Sequence, residues 1–316
     1  EELSVQLAGI QGKPVPQIRH KAIITMAGDH GVVAEGVSAY PQEVTAQMVY
    51  NFLGGGAGIN VIARQFGARI IVVDMGVAVD FTSSPQLVSR KVAFGTQNMA
   101  HGPAMTREQA VQAVEAGIEI VAAEVAKGLD IVGTGDMGIG NTTAASAICS
   151  VMTGKSVVEV TGRGTGVGDS QLKHKVEVIN RALAVNHPDP EQPLDVLAKV
   201  GGFEISGLVG VMLGTAARRI PVVIDGFISG AAALVATAIS PGLDAFLIPA
   251  HVSAEPGHYL LLNHLRLEPL LDLKMRLGEG TGAALGMFLA ETAARVLAEM
   301  STFAEAGVSE RNESQS

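Results

Sequence analysis

The chain has 316 residues, of which 47% are hydrophobic and 17% are charged, and its formal net charge is −9. This composition is typical of a well-buried globular protein and excludes a disordered chain. The negative charge and the lack of a Lys/Arg cluster argue against a nucleic-acid-binding surface, and no apolar run is long enough to span a membrane. The single cysteine, Cys149, excludes an internal disulfide framework and favours a reducing compartment, so we expect a cytoplasmic protein.

Short apolar runs alternate with helix-like segments along the chain. These runs predict buried strands at residues 21–27, 68–78, 129–133, 156–160, 219–226 and 244–250. Strands that alternate with helices predict an α/β fold, with a Rossmann-like, mostly parallel sheet that carries helices on both faces.

Acidic residues and one histidine follow these predicted strands. They are Asp29, Asp74, Asp136, Asp225 and His251. Because the carboxyl ends of parallel strands meet at one edge of a sheet, we expect a ligand crevice along this edge.

Two glycine-rich segments each follow a predicted strand. Gly133–Gly138 reads GTGDMG and satisfies a dinucleotide fingerprint, with Glu159 as the ribose-binding acid, so an NAD-dependent oxidoreductase is one alternative. A carboxylate inside that turn, Asp136, opposes this alternative, as does a helix that starts only at Asn141. Such a helix start suits a single phosphate. The second segment, residues 162–166, adds further backbone N–H groups, so the two together indicate a mononucleotide.

Glu279 stands alone in a glycine-rich stretch, RLGEGTG, inside an apolar segment. A carboxylate in apolar surroundings tends to have a raised pKa, which suits a general base near neutral pH. The same pattern fits a helix junction at which Glu279 faces solvent. No zinc-binding histidine spacing, Walker loop or nucleophile elbow occurs, so we expect neither a metal nor a cofactor.

Six motifs together carry a family resemblance over nearly the whole chain. They are GDHGVVAEGVSAYPQEVTAQMV, GDMGIGNTTAASAI, GRGTGV, PVVIDGFISGAAAL, HVSAEPGH and LDLKMRLGEGTGAAL. In this order they resemble the nicotinate-nucleotide–dimethylbenzimidazole phosphoribosyltransferase (CobT) family. The N-terminal PPGSLG segment of the family is absent, which implies a shortened or divergent start.

The resemblance implies transfer of 5-phosphoribose from nicotinate mononucleotide to 5,6-dimethylbenzimidazole, without a metal. It also implies a homodimer, with a large α/β domain at 15–268 and a small helical domain built from 1–14 and 269–316. Some family members transfer to another base or to a phenol, so the acceptor stays open. A nucleotide-binding protein without catalysis is a further alternative.

The resemblance also assigns roles to residues. Glu279 matches the catalytic base, and Asp136 stands where the family typically has a glutamate. The expected nucleotide and phosphate site comprises Asp136, Gly138, Gly140, Asn141, Thr142, Gly164, Gly166, Lys175 and Asp225. The expected pocket for the acceptor base comprises Gln47, Ser253 and Leu277.

Overall fold

The computed structural model describes residues 1–81 and 84–309. Its strands are β1 Lys21–Gly28, β2 Arg69–Gly76, β3 Leu87–Ser89, β4 Ile131–Met137, β5 Val222–Ile224 and β6 Leu247–Pro249. Its α-helices are α1 Glu2–Gln11, α2 Glu43–Gly54, α3 Gly58–Phe66, α4 Arg107–Val125, α5 Asn141–Thr153, α6 Val157–Val160, α7 Asp169–Asn186, α8 Pro193–Val200, α9 Phe203–Ala216, α10 Phe227–Ile239, α11 Pro256–Leu265, α12 Thr281–Glu299 and α13 Phe303–Ala306.

The strands form one six-stranded sheet in the order β3-β2-β1-β4-β5-β6, and every neighbouring pair is parallel. The chain order reverses between β1 and β4, which is where open α/β sheets leave a crevice for ligands. The predicted Rossmann-like parallel sheet is therefore confirmed.

Neighbouring residues of a strand point to opposite faces of the sheet. Each face therefore presents apolar side chains, and helices cover both faces. In β1, Ile24 packs into an apolar core that also contains residues of α4, α5, α9 and α10. Ile23 packs into a second core with residues of α1, α2, α3 and α12. The two ends of the chain therefore lie on the same face, where α12 contacts α1, α3 and β4.

The division into a large and a small domain stays a prediction, and residues 310–316 of the expected small domain lie outside the described residues. None of the helices in the described ranges combines the length and the apolar character that a membrane crossing requires.

The predicted strand at 156–160 is wrong, because residues 157–160 form the short helix α6. Ser156 and Glu159 make a reciprocal cap: the Ser156 N–H donates to the Glu159 carboxylate at 2.9 Å, and the Glu159 N–H donates to the Ser156 hydroxyl at 3.4 Å. This local capping box outweighs the strand preference of the valines. Glu159 therefore fixes a helix start and does not follow a strand as a ribose-binding acid would.

The dinucleotide interpretation of GTGDMG is also wrong, because most of this motif lies inside β4 and forms no turn. The glycines of this motif leave space for the backbone of the segment that packs against β4. A Cβ on Gly135 would lie 2.4 Å from the carbonyl oxygen of Glu279, and a Cβ on Gly133 would lie 3.1 Å from the Cβ of Ala283. The glycines thus allow the segment at the start of α12 to approach the sheet.

A substitution of Gly117 in α4 tests how closely α4 and α9 pack against each other, on the face opposite α12. A Cβ on Gly117 would lie 2.1 Å from the carbonyl oxygen of Gly207 in α9, which is backbone and cannot move aside cheaply. We expect Gly117→Ala to lower the free energy of unfolding by about 1–3 kcal/mol in urea titrations. Gly9→Ala in α1 is the control, since nothing lies within 4 Å of its Cβ position. Equal stability of the two variants would contradict this packing.

Candidate active site

A cavity of about 460 Å³ opens at the carboxyl ends of β4, β5 and β6. Residues at the ends of these three strands line it, together with residues of the loop after Thr161, the start of α2 and the segment that precedes α12. A cavity therefore lies at the edge of the sheet where the sequence predicts a ligand crevice. The rim residues Asp136, Asp225 and His251 line it.

The structure brings most of the predicted site residues to this cavity. Those that line it are Asp136, Gly138, Asn141, Thr142, Gly164, Asp225, Ser253, Leu277 and Glu279. Gly140 lies just behind the wall as the residue before α5, with φ of 93°. Lys175 is buried beneath Thr142. Gly166 lies in the same loop as Gly164, and a Cβ there would meet only open space.

Gln47 was predicted to line the acceptor pocket, but it does not line the cavity. Its side chain is exposed on α2. Val44 and Met48, which are one helical turn apart, face the cavity instead. The apolar wall on this side therefore comes from the neighbours of Gln47.

Glu279 is buried, with 6% of its surface exposed, so the alternative in which it faces solvent is wrong. Its backbone is left-handed, with φ of 64°, between Gly278 at 75° and Gly280 at 95°. A non-glycine residue adopts this conformation at a cost and needs contacts that hold it there. The Thr25 hydroxyl donates to the Glu279 carbonyl at 3.1 Å, and the Ile59 N–H donates to Glu279 Oε2 at 3.0 Å.

The surroundings of Glu279 tune its acidity. Burial raises the pKa of its carboxyl, the hydrogen bond from the Ile59 N–H lowers it, and the nearby Asp225 carboxylate raises it. The net effect is a pKa above the usual value for glutamate. Such a carboxyl accepts a proton near neutral pH more readily than an exposed one.

Asp225 anchors the start of α12. Its two carboxylate oxygens accept the N–H of Gly280 at 3.2 Å and the N–H of Ala283 at 2.9 Å. His251 Nε2 lies 3.8 Å from the same carboxylate. Burial raises the pKa of Asp225, while His251 and the α12 amides oppose that rise. Asp225 therefore holds the backbone on which Glu279 sits.

Asp136 is the carboxyl whose protonation the site alters most clearly. Burial raises the pKa of Asp136 to about 8, helped by the carboxylates of Asp225 and Glu204 and opposed by a hydrogen bond from Asn141. Asn141 Nδ2 donates to Asp136 Oδ2 at 2.9 Å. At neutral pH most Asp136 side chains carry a proton, so this carboxyl can donate a hydrogen bond into the cavity.

A cationic group lies at the other end of the site. Lys175 Nζ donates to the Thr142 hydroxyl at 2.7 Å in the first turn of α5. Burial lowers the pKa of Lys175 to about 8, while the Glu255 carboxylate raises it. A Cβ on Gly164 would lie 2.7 Å from the Thr142 oxygen, so a glycine is required at this approach. A helix N-terminus, a lysine and a glycine loop form a suitable site for an anion.

Glu255, to which the sequence assigned no role, lies at the base of the glycine loop. The Gly164 N–H donates to Glu255 Oε1 at 2.8 Å, and only 8% of Glu255 is exposed. Its position after the last strand and before Pro256, at the start of α11, is a signal from which a rim residue could have been predicted. Tyr40 and Arg276 also line the cavity, and their sequence context gave no such signal.

The chain is similar to known phosphoribosyltransferases along nearly its full length. A family model described as a phosphoribosyltransferase matches residues 1–308. A nicotinate-nucleotide–dimethylbenzimidazole phosphoribosyltransferase of Desulforudis audaxviator strain MP104C is 60% identical over 310 residues, which cover 98% of this chain and 88% of the relative. The chain belongs to the nicotinate-nucleotide–dimethylbenzimidazole phosphoribosyltransferase family. The resemblance that the six motifs indicated is confirmed.

Other members of this phosphoribosyltransferase family agree. A relative of the same name from Geobacter metallireducens strain GS-15 is 58% identical, and the match covers 98% of this chain and 87% of the relative. The crystal structure of CobT from Thermus thermophilus superposes with a TM-score of 0.95 at 49% identity, and the match covers 98% of this chain and 92% of that one. The family fold and this fold are therefore the same.

Asp136→Asn tests the protonated carboxyl of this family member. The pKa of Asp136 rises from 3.8 to about 8 on folding, so the folded chain retains a proton that the unfolded chain releases. This contribution to stability is complete below the unfolded pKa and is lost as the pH rises towards 8. We expect the free energy of unfolding to fall less between about pH 5 and about pH 8 in Asp136→Asn than in the wild type. The exposed Asp80→Asn is the control, and parallel pH curves for Asp136→Asn and the wild type would contradict the prediction.

Proposed function

We propose that this protein transfers the 5-phosphoribosyl group of nicotinate mononucleotide to 5,6-dimethylbenzimidazole. The products are nicotinate and α-ribazole 5′-phosphate, the nucleotide of the cobalamin lower ligand. The observation that carries the proposal is the buried carboxylate of Glu279, which lines the same cavity as the helix start at Thr142 and the glycine loop at Gly164. Family membership over 98% of the chain supports the same reaction.

The reaction needs little covalent help from the protein. The bond between ribose C1′ and the cationic nicotinate nitrogen breaks, and its electron pair neutralises that nitrogen. One ring nitrogen of the benzimidazole forms the new bond to C1′ from the opposite face, so the anomeric configuration inverts. The proton on the other ring nitrogen passes to Glu279. Catalysis then rests on a base and on geometry.

The proposed phosphate site combines the first turn of α5 with a buried amine. Lys175 supplies the positive charge, Thr142 a hydroxyl and Gly164 a backbone that can approach closely. The protonated carboxyl of Asp136, near the middle of the cavity wall, suits a hydrogen bond to an oxygen of the ribose or of the nicotinate carboxylate. These roles are consistent with a mononucleotide and leave no place for a second phosphate on GTGDMG.

The proposed acceptor pocket is mostly apolar. Val44, Met48 and Leu277 offer aliphatic walls beside Glu279, and Tyr40 adds an aromatic ring. A flat benzimidazole buries its methyl-substituted ring against such walls and directs its N–H towards the carboxylate. Ser253 supplies a polar group at the opposite wall. This arrangement supports an azole acceptor with an N–H to lose.

We further propose a cytoplasmic homodimer, in which the helices of the two chain ends form the unit that carries Glu279. Apolar side chains stay exposed along α12 and just beyond it, at Phe288, Val296, Leu297 and Met300. Exposed apolar side chains near the end of the chain support contact between two copies of it. The buried, unpaired Cys149 supports a reducing compartment.

Glu279→Gln tests the proposed base. The amide oxygen of glutamine can still accept the Ile59 N–H, but glutamine cannot take a proton from the acceptor. We expect nicotinate release from nicotinate mononucleotide and dimethylbenzimidazole to slow by about 10²-fold or more. Calorimetry should show nearly unchanged binding of the mononucleotide. The exposed Glu268→Gln is the control, and undiminished turnover in Glu279→Gln would remove this residue from the role of base.

Asp136→Glu tests the departure from the family residue. The longer side chain restores the glutamate typical of the motif and extends further into a cavity of about 460 Å³. We expect nicotinate release at least as fast as in the wild type. Loss of turnover with intact folding would show that the pocket requires the shorter acid.

A further inference from the structure

Helix α3 has no side chain at its N-cap position that could accept an N–H of the first turn. Ala57 precedes it and has no side-chain acceptor, and Asn60 Oδ1 is used by the Ala57 N–H at 3.1 Å. The free N–H of Ile59, in the first turn, donates instead to Glu279 Oε2 at 3.0 Å. The acceptor that caps this helix therefore comes from a residue 220 positions away in the chain.

Gly58 leaves the space that this contact needs. A Cβ at Gly58 would lie 2.8 Å from Leu277 Cδ2 and 3.4 Å from Glu279 Oε2. A Cβ at this position would make the exposed side chain of Leu277 move and would come into van der Waals contact with the carboxylate. The start of α3 is thus shaped to receive the carboxylate as well as to bond it.

We infer that the start of α3, through the Ile59 N–H and the space at Gly58, is the positioning element of the catalytic base. One oxygen of Glu279 is fixed by the helix amide. Among the described residues no donor hydrogen-bonds the other oxygen, Oε1, so it is left for the proton of the acceptor. This inference rests on the proposed function and adds a residue that the reaction needs but that touches no reacting atom.

The electrostatics of the site make this contact consequential. Glu279 has two carboxyl groups as neighbours, those of Asp225 at the end of β5 and of Asp136 in β4. Asp225 disfavours the ionised form of Glu279. Glu279 in turn disfavours the ionised form of Asp136. Arg276, on the same segment as Glu279, lines the cavity with an exposed side chain, and His251 lies beside Asp225. The Thr25 hydroxyl of β1 bonds only the backbone carbonyl of Glu279. The α3 amide, with the positive end of the helix dipole, is therefore a main contact that favours the carboxylate.

The test removes the donor at position 59, where the side chain is also fully buried. Proline fits the first turn of a helix and lacks an N–H, so Ile59→Pro deletes this hydrogen bond. Ile59→Val is the matched control, since it keeps the N–H and also shortens the buried side chain. The titration of the Glu279 carboxyl is followed by the ¹³C signal of labelled glutamate, assigned by its loss in Glu279→Gln. Nicotinate release is measured over the same pH range.

We expect Ile59→Pro to raise the pKa of Glu279 by about one unit relative to Ile59→Val, since a hydrogen bond to a charged group is lost. The acidic limb of kcat should move to higher pH by the same amount, with an unchanged KM for nicotinate mononucleotide. An identical titration in both variants, with kcat lowered equally at every pH, would overturn the inference. If circular dichroism shows that Ile59→Pro does not fold, incorporation of the α-hydroxy-acid analogue of isoleucine at position 59 decides by the same two readouts, because an ester oxygen then replaces the N–H and the side chain is unchanged.

The experiment also separates this inference from the proposed function. Absence of nicotinate release in every variant, the wild type included, would reject the proposed reaction. The carboxyl titration would still show whether the Ile59 N–H governs the charge of Glu279. A shifted titration without turnover would confirm the contact and reject the reaction. An unshifted titration with normal turnover would reject the contact and support the reaction.

Discussion

The site depends on the carboxylate of Asp225, which receives two backbone N–H groups at the start of α12. This contact ties the end of β5 to a distant part of the chain, since 55 positions separate Asp225 from Gly280. Glu279 lies two residues before the first residue of α12, in a run of three left-handed residues. Such a run persists only where its surroundings fix it, so the position of the base follows from the anchoring of α12.

Acidic groups cluster at one end of the cavity, and the buried amine of Lys175 lies beneath the first turn of α5, near the carboxylate of Glu255. Asp136, Asp225 and Glu279 lie close enough to influence one another, and burial removes the water that would screen them. The repulsion is relieved when Asp136 holds its proton, which leaves the other two free to act as anchor and base. The cationic ring of a nicotinate nucleotide suits this acidic cluster, and its phosphate suits the amine of Lys175 and the N–H groups at the start of α5. Once its nitrogen becomes neutral, the departing nicotinate loses its attraction to the acidic end of the cavity.

Local signals in the sequence predicted the fold well. The apolar runs located β1 and β2, and the start of α5 at Asn141 followed from its flanking residues. Predictions failed where a local sequence pattern is compatible with two different structures. Residues 156–160 have the β-branched composition of a strand, yet the Ser156–Glu159 cap makes them a helix. GTGDMG matches a nucleotide turn, yet its glycines serve the packing of β4 against the Glu279 segment.

The sequence predicted which residues line the cavity but not which contacts hold their side chains in place. Family motifs indicated Glu279, Thr142 and Asp225, and all three line one cavity. The partner that holds the carboxylate of Glu279 is Ile59, which acts through its backbone N–H and across 220 positions of the chain. A backbone N–H leaves no trace in residue identity, so sequence alone could not reveal the Ile59 contact.

The bond between Ile59 and Glu279 also has a consequence for how the molecule acquires its shape. It closes a loop of 220 positions that contains five of the six described strands, from β2 to β6. Contacts of such high sequence separation form slowly, because their closure entropy is lost before they contribute any stability. Activity should therefore emerge after the bulk of the secondary structure during refolding, as the final event of the folding reaction.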